Sequence, residues 1–300
     1  MSVDELFSTV KRGEEEASRI VDAVLGEIRE RLIISYTGVG SIAAYTMYWI
    51  LREVAPQTSV ELYSGDALAF HVLAYRRSRR DEYSVASDTS VVLFAGPGGE
   101  NQLLLVRDAA LYTGAGLIVV SHRLPPVVEQ RLGGEPLLVE LEPPYPLYAT
   151  ILAARLGAVL ASRRGERNVR VERVSRETAD VSSVVRELVE RHGADAERLL
   201  TCRPCIYAYT PTMTGPARLA AIMTRSVSMG VQECLSALSW GVDVKGLALL
   251  YTSADEDAVR ELRFKAMTSG LDIRELKLGT DPVTAPLYAT ILLYARGGSD

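Results

Sequence analysis

The sequence predicts an α/β protein built from two similar domains, each a three-layer αβα sandwich around a parallel sheet. At 300 residues, the chain has the length of two ordinary domains, and its 48% of hydrophobic residues is enough to fill both cores. Strand and helix patterns alternate along the chain in units of about 30 residues, which is typical of parallel sheets covered by helices on both faces. A seven-residue segment also recurs unchanged in the second half of the chain.

The first half contains three strand, turn and helix units in succession. Apolar residues at helical spacing predict a helix over the first 30 residues, and residues 32–36 then have the pattern of a buried strand. This strand runs into a glycine turn at residues 38–41 and a helix at residues 42–54. The later strands are predicted at residues 60–63, 90–95, 117–121 and 137–141, the first two of them followed by turns and helices.

The repeated segment, Pro-Leu-Tyr-Ala-Thr-Ile-Leu, occupies residues 146–152 and again residues 286–292. Proline suits the first turn of a helix, so each copy predicts a helix start. The strands predicted at residues 206–210, 246–252 and 273–278, with a helix at residues 255–269, repeat the order of the first half. We therefore predict a duplication, with one domain at residues 1–160 and the other at residues 161–300.

Composition and charge exclude several functional classes. A formal net charge of -5 disfavours binding to nucleic acid, whose phosphates attract a basic surface. The longest nearly apolar run, residues 147–161, carries Arg155 and is shorter than the roughly 20 residues that span a membrane. Residues 1–16 show no signal-peptide pattern, so we expect a cytoplasmic protein without membrane contact. Few amide residues and many arginines favour a heat-adapted source, although a GC-rich genome explains the arginines equally well.

Two glycine-rich turns follow predicted strands, where an anion could bind. Open parallel sheets bind ligands at the carboxyl ends of their strands, because backbone N–H groups and helix N-termini there favour negative charge. The candidate substrate-binding residues are Gly38, Gly40, Ser41, Ser64, Gly96, Gly98, Gly99 and Glu100. Ordinary tight turns are the alternative interpretation. Residues 210–216 hold several hydroxyls at the corresponding place in the second half, where they either face an anion or cap a helix.

The sequence predicts no cofactor and no metal. Gly38, Gly40 and Ala43 fit a relaxed dinucleotide-binding pattern, but the acid expected after the second strand is not in place. Cys202 and Cys205, even with Cys234 added, lack the second paired spacing of a zinc site. The first two cysteines form either a buried thiol pair or a local bridge, and a catalytic redox motif is the less favoured alternative.

In its order of elements, its G-x-G-S turn at residues 38–41 and its duplication, the chain resembles the sugar isomerase (SIS) domain proteins. Within that family it is most similar to the archaeal bifunctional phosphoglucose/phosphomannose isomerases. The resemblance implies two SIS-like domains with flavodoxin-like parallel sheets over nearly the whole chain. It also implies a sugar-phosphate substrate and aldose–ketose isomerisation, and we expect a homodimer.

The family's functional residues map onto this chain only in part. Its first phosphate-binding turn corresponds to residues 38–41. Its second turn, S-x-S-G-x-T followed by glutamate, corresponds to residues 93–100, of which only Gly96 and Glu100 are retained. The family's catalytic base corresponds to Glu233, whereas its downstream histidine and terminal lysine have no counterpart here.

His122 could replace the missing histidine. It follows the strand at residues 117–121, where ligand-binding loops gather, although a structural role is the commoner one for such a histidine. Aldose–ketose isomerisation needs a base that moves a proton between two carbons and a group that opens the sugar ring. We therefore predict Glu233 and His122 as catalytic residues. The alternative is a non-catalytic sugar-phosphate sensor or structural paralogue, because the second turn lacks the family's hydroxyls.

Overall fold

The computed structural model describes residues 1–74, 87–164, 168–241 and 244–297. The chain divides into two compact units, an N-terminal unit of residues 12–179 and a C-terminal unit of residues 1–11 and 180–300. The division that the sequence predicts after residue 160 falls inside the helix Tyr145–Arg164. That helix and the next, Val169–Glu177, pack together and stay in the N-terminal unit.

The N-terminal unit is a doubly wound α/β sandwich. Its elements are α1 (Val3–Glu27, shared with the C-terminal unit), β1 (Arg31–Thr37), α2 (Ser41–Val54), β2 (Val60–Ser64), a turn of helix (Gly65–Ala67) that continues as a π-helix (Leu68–Leu73), β3 (Thr89–Ala95), α3 (Glu100–Thr113), β4 (Gly116–His122), α4 (Pro126–Leu132), β5 (Leu137–Leu141), α5 (Tyr145–Arg164) and α6 (Val169–Glu177). The five strands are parallel in the order β2-β1-β3-β4-β5. The predicted strands and their flavodoxin-like arrangement are confirmed.

Helices cover both faces of this sheet. Successive strand residues point to opposite faces, so Ile33, Val91 and Leu93 share one apolar layer with Leu68 and with Leu103 of α3. Each such buried side chain contributes about 1.5–3 kcal/mol relative to an exposed one.

On the opposite face, α2 and α5 pack against each other. Gly157 permits this close approach, because a Cβ atom there would lie 3.2 Å from the Cβ of Ile50. By length and mean hydropathy α5 is the one helix in the described ranges that could cross a membrane, but 78% of its apolar window is buried in the protein.

The C-terminal unit repeats the arrangement with one strand fewer. Its elements are α7 (Val185–Leu200), β6 (Cys205–Tyr209), α8 (Thr214–Thr224), β7 (Val227–Gly230), α9 (Val231–Ser239), β8 (Gly246–Thr252), α10 (Glu256–Thr268), β9 (Asp272–Leu278) and α11 (Ala285–Gly297). The strands are parallel in the order β7-β6-β8-β9. The sequence does not predict β7, because this four-residue edge strand is too short and too polar to show a strand pattern.

The two copies of the repeated segment form the same structure in both units. They begin α5 and α11, and in each the threonine hydroxyl donates to the proline carbonyl four residues earlier, Thr150 to Pro146 at 2.7 Å and Thr290 to Pro286 at 2.8 Å. Both threonines are fully buried, so the bond satisfies a hydroxyl inside the core.

Candidate functional site

The strand register of the N-terminal sheet brings the predicted loops to one edge. Thr37, Ala95 and Ser121 are cross-strand neighbours at the carboxyl ends of β1, β3 and β4. The turn Gly38–Gly40 leaves β1, and residues 96–99 leave β3 beside it. The sequence therefore predicted correctly which segments share this edge.

The glycines of the first turn are required by contact with the neighbouring strand. Gly38 has a φ of +52°, in the left-handed region that favours glycine, and Gly40 lies directly against the backbone of Phe94. A Cβ atom on Gly40 would be 2.0 Å from the Phe94 carbonyl oxygen. Ser41 begins α2, and its N–H donates to the carbonyl oxygens of Gly38 and Val39. Close packing of the two turns is thus sufficient to explain these glycines.

The backbone N–H groups of the second turn already donate hydrogen bonds within the N-terminal unit. Gly96 N–H donates to Thr37 O at 3.1 Å, and Gly99 N–H donates to Gly96 O at 3.2 Å. Gly98 N–H donates to the Glu100 carboxylate at 3.2 Å, and Pro97 carries no N–H. A phosphate held by these amides would have to displace hydrogen bonds that they already make within the N-terminal unit. Their predicted role in substrate binding stays a prediction.

Three polar atoms at this edge are buried without a hydrogen-bond partner among the described residues: Thr37 Oγ1, Ser121 Oγ and His122 Nδ1. A Cβ atom on Gly99 would lie 2.1 Å from Thr37 Oγ1, so glycine is needed there to leave room for this hydroxyl. An unsatisfied buried polar group costs about 1–3 kcal/mol. A cluster of such atoms at a sheet's carboxyl edge is a feature of ligand-binding sites.

His122 and Glu100 form a pair at the centre of this edge. The His122 Nε2 atom lies 3.6 Å from Glu100 Oε1, and the side chains are 22% and 27% exposed. Both side chains are therefore partly accessible to a small ligand. This geometry places a histidine and a carboxylate where a proton can pass between them and a bound molecule.

Tyr145 supports the ring of His122 and was missed by the sequence analysis. The two rings meet edge to face with their centroids 6.0 Å apart, and the Tyr145 hydroxyl donates to Val120 O at 3.1 Å. Complete burial raises the pKa of Tyr145 far above its ordinary value, so the hydroxyl stays protonated and keeps this bond. The one sequence signal for Tyr145 is its position directly before the first copy of the repeated segment.

Two other candidate residues have local structural roles. Ser64 Oγ accepts a hydrogen bond from Ala67 N–H at 3.3 Å and so caps the helical turn after β2. Glu233 belongs to the C-terminal unit, where its exposed carboxylate accepts the Gly230 N–H at 3.0 Å and caps α9. The N-terminal unit therefore brings Glu100 and His122 together, and Glu233 has a separate position in the other unit.

The corresponding edge of the C-terminal sheet holds an internal carboxylate. Thr210 and Thr252 donate their hydroxyls to Asp255 Oδ2 at 2.9 and 2.7 Å, and Thr252 N–H approaches the same oxygen at 3.3 Å. Both threonines are buried. Of the two interpretations of residues 210–216, this favours the structural one for Thr210, because Asp255 would repel an anion there. The sequence did not point to Asp255.

Within the described ranges, no group of three histidine, cysteine, aspartate or glutamate side chains could hold a metal ion.

Comparison with known proteins defines the class of fold. Neither a scan of protein-family models nor a search of curated proteins returned a match. Among solved structures, the chain is similar to a candidate phosphosugar isomerase from Salmonella typhimurium LT2, with 15% identity and a TM-score of 0.70 over 95% of this chain and 90% of that one.

Two further solved structures are also similar to this chain. The C-terminal domain of glucosamine-fructose-6-phosphate aminotransferase from Francisella tularensis has 13% identity and a TM-score of 0.66, with 99% and 98% of the two chains covered. Tagatose-6-phosphate ketose/aldose isomerase from Escherichia coli has 12% identity and a TM-score of 0.62, with 99% and 94% covered. The chain thus has the SIS-type fold of sugar-phosphate enzymes.

Proposed function

We propose that the chain binds a sugar phosphate at the carboxyl edge of the N-terminal sheet and interconverts its aldose and ketose forms. The pairing of His122 with Glu100 at that edge is the observation that carries the proposal. The substrates that the sequence resemblance suggests are glucose 6-phosphate and mannose 6-phosphate, both converted to fructose 6-phosphate. The similar structures are named for the same class of compound.

The chemistry needs one proton to move between neighbouring carbons through an enediol. A base removes the proton from the carbon beside the aldehyde and returns it to the former carbonyl carbon. An acid protonates the carbonyl oxygen and then takes a proton from the hydroxyl on the neighbouring carbon, so both groups are restored. We assign these two roles to Glu100 and His122, whose facing atoms lie 3.6 Å apart, so that one bound sugar can contact both side chains. Glu233 stays the competing candidate for the base, although its exposure and its capping bond favour a structural role.

A sugar-phosphate sensor without turnover is the second candidate. The observation that favours it is the second turn, whose N–H groups at Gly96, Gly98 and Gly99 all have acceptors within the N-terminal unit. This turn also lacks the hydroxyls that the family uses. A general base contributes about 100- to 10,000-fold to a rate, so weak binding together with one lost group would leave little activity.

The deciding experiment supplies fructose 6-phosphate and detects glucose 6-phosphate and mannose 6-phosphate by coupled assays. We expect His122→Gln and Glu100→Gln each to reduce turnover by about 100-fold or more. The exposed His71 provides the matched control, and His71→Gln should retain full turnover. If Glu233→Gln alone removes activity, the base is Glu233 and our assignment is wrong.

Thermal stabilisation by sugar phosphates separates the remaining outcomes. If the unaltered chain shows no turnover but fructose 6-phosphate still raises its unfolding temperature, the protein is a sensor. A ligand that binds the folded state stabilises that state. The absence of both effects would refute a sugar-phosphate site.

A further inference from the structure

Two cysteines lie together at the opposite edge of the C-terminal sheet from the strand-end loops. Cys202 follows α7, and Cys205 is the first residue of β6. Their residues are only 2% and 6% exposed, and both thiols are free. Two free thiols three positions apart in a buried place form a candidate pair for disulfide exchange.

The two cysteines are in direct contact. Cys205 Sγ donates to the carbonyl oxygen of Cys202 at 2.9 Å, so its thiol packs against the other cysteine. Gly246, the register partner of Cys205 on β8, bounds the other side, because a Cβ atom there would be 2.7 Å from Cys202 Sγ. The added Cβ would also lie 3.4 Å from the Cβ of Cys205, so both cysteines pack on the same glycine.

The surroundings give the two thiols different acidities. The pKa of Cys202 is lowered, first by the hydrogen bond from Cys205 and further by the positive charge of Arg274. The same bond, together with burial, raises the pKa of Cys205. This difference in acidity suits thiol–disulfide exchange, in which one sulfur attacks as a thiolate and the other holds its proton until the second step.

A surface groove reaches the residue next to this pair. It is lined by Thr201, the residue before Cys202, and by Arg274. Arg274 donates to the carbonyl of Arg198 at 2.8 Å and also to Thr201 Oγ1, which places its guanidinium beside the chain that leads to Cys202. Arg274 is also paired with Asp272, with 2.9 Å between Nη2 and Oδ2, so the groove presents charges of both signs.

We propose that Cys202 and Cys205 form a reversible disulfide by exchange with a small external disulfide. The Cys202 thiolate attacks one sulfur of that compound, forms a mixed disulfide and expels the other half as a thiolate. Cys205 then gives up its proton to solvent and attacks the Cys202 sulfur, which expels the second half. Two electrons pass from the cysteine pair to the external disulfide, which leaves as two thiols.

The disulfide would cross-link two core elements of the C-terminal unit. β6 lies between β7 and β8 in the sheet, so the bridge would tie the end of α7 to the start of an inner strand. A cross-link restricts the unfolded chain and so raises stability, by a modest amount for so short a loop. We expect the oxidised protein to unfold at a temperature a few degrees above that of the reduced protein.

The test uses the folded full-length chain and oxidised glutathione. After oxidation, acid quenching, alkylation in denaturant and digestion with trypsin, both cysteines fall in the peptide 199–218, because trypsin does not cleave the Arg203-Pro204 bond. Cys234 falls separately in the peptide 226–245. We expect the first peptide to be lighter by two hydrogens and unlabelled, while Cys234 takes up the alkylating label.

Serine variants test the order of attack. Cys205→Ser should accumulate glutathione on Cys202, whereas Cys202→Ser should accumulate none on Cys205. Cys234 is the matched buried control, because its pKa is raised to about 11 by burial, and Cys234→Ser should leave the bridge unchanged. The proposal would be overturned if oxidation of the folded protein left two labelled thiols in peptide 199–218 and the bridge formed only once the chain was denatured.

Discussion

The carboxyl edges of the two sheets are built from corresponding elements but differ in how their polar groups are satisfied. In the N-terminal unit, Thr37 and Ser121 bury hydroxyls without a partner among the described residues. In the C-terminal unit, the hydroxyls of Thr210 and Thr252 both bind the carboxylate of Asp255. One edge is thus completed by a side chain of its own unit, whereas the other leaves polar groups for something else to satisfy.

The helix starts at these edges differ at α2. No side chain caps α2 in the N-terminal unit, whereas α3 begins with Glu100, whose carboxylate accepts the Gly98 N–H. In the C-terminal unit, Glu233 caps α9 and Asp255 caps the turn Ser253–Asp255. A carboxylate at a helix start neutralises the positive end of the helix dipole, so α2, which has none, is better able to attract an anion than α3 or these C-terminal positions. Thr212, whose hydroxyl is buried and unpaired, is the exception among the described residues of the C-terminal unit.

The largest effect should come from closing the space between the N-terminal turns. Gly40→Ala places a methyl group 2.0 Å from the Phe94 carbonyl oxygen, and backbone must move to admit it. We expect a loss of about 3 kcal/mol or more in the free energy of unfolding. Gly230, at the start of α9, is the control, since the nearest atom to an added Cβ is 3.7 Å away and the change should stay within about 0.5 kcal/mol. Denaturant unfolding of both variants measures the difference, and equal losses would contradict the packing explanation of the N-terminal turns.

The next effect concerns the carboxylate of the C-terminal edge. Asp255→Asn weakens two hydrogen bonds from buried threonines to a charged acceptor, and we expect a loss of about 2 kcal/mol. Asp257→Asn is the neighbouring control, because that carboxylate is 85% exposed and pairs with Arg260 at the surface. Its loss should stay within about 0.5 kcal/mol. Equilibrium unfolding in urea distinguishes the two, and a neutral Asp255 variant would mean that the edge does not depend on its internal carboxylate.

A pair of matched threonine substitutions compares the two edges directly. Thr252→Val removes one of the donors to Asp255 and should lower stability by about 1–2 kcal/mol. Thr37→Val removes a buried hydroxyl that has no partner among the described residues, so stability should be unchanged or raised by up to ~1 kcal/mol. If Thr37 contributes to the proposed sugar-phosphate site, its valine variant should keep its stability and lose the stabilisation by fructose 6-phosphate. Equal destabilisation of both variants would mean that the two edges do not differ in this way.

The sequence was most informative where a pattern repeats along the chain. Alternating strands and helices and the duplicated helix start predicted both sheets, because buried strands and helix turns leave regular spacings. The pairing of His122 with Glu100 depends instead on register between β3 and β4, which no local pattern encodes. The same holds for Asp255, whose partner Thr210 lies 45 residues away. Long-range contacts of single side chains therefore had to come from the structure.

The smallest effect is a pH dependence in the C-terminal unit. Burial lowers the pKa of His192 on α7 below its ordinary value of 6.5, so the unfolded chain binds a proton more readily than the folded one. Stability should therefore fall as the pH drops below about 6.5 and level off once the folded histidine is also protonated. His192→Gln should flatten this part of the curve, while His71→Gln, at an exposed histidine of the N-terminal unit, should leave it unchanged. Urea midpoints measured from about pH 5 to about pH 8, the range in which histidines titrate, would show the difference. A slope that survives in His192→Gln would assign the pH dependence to other groups.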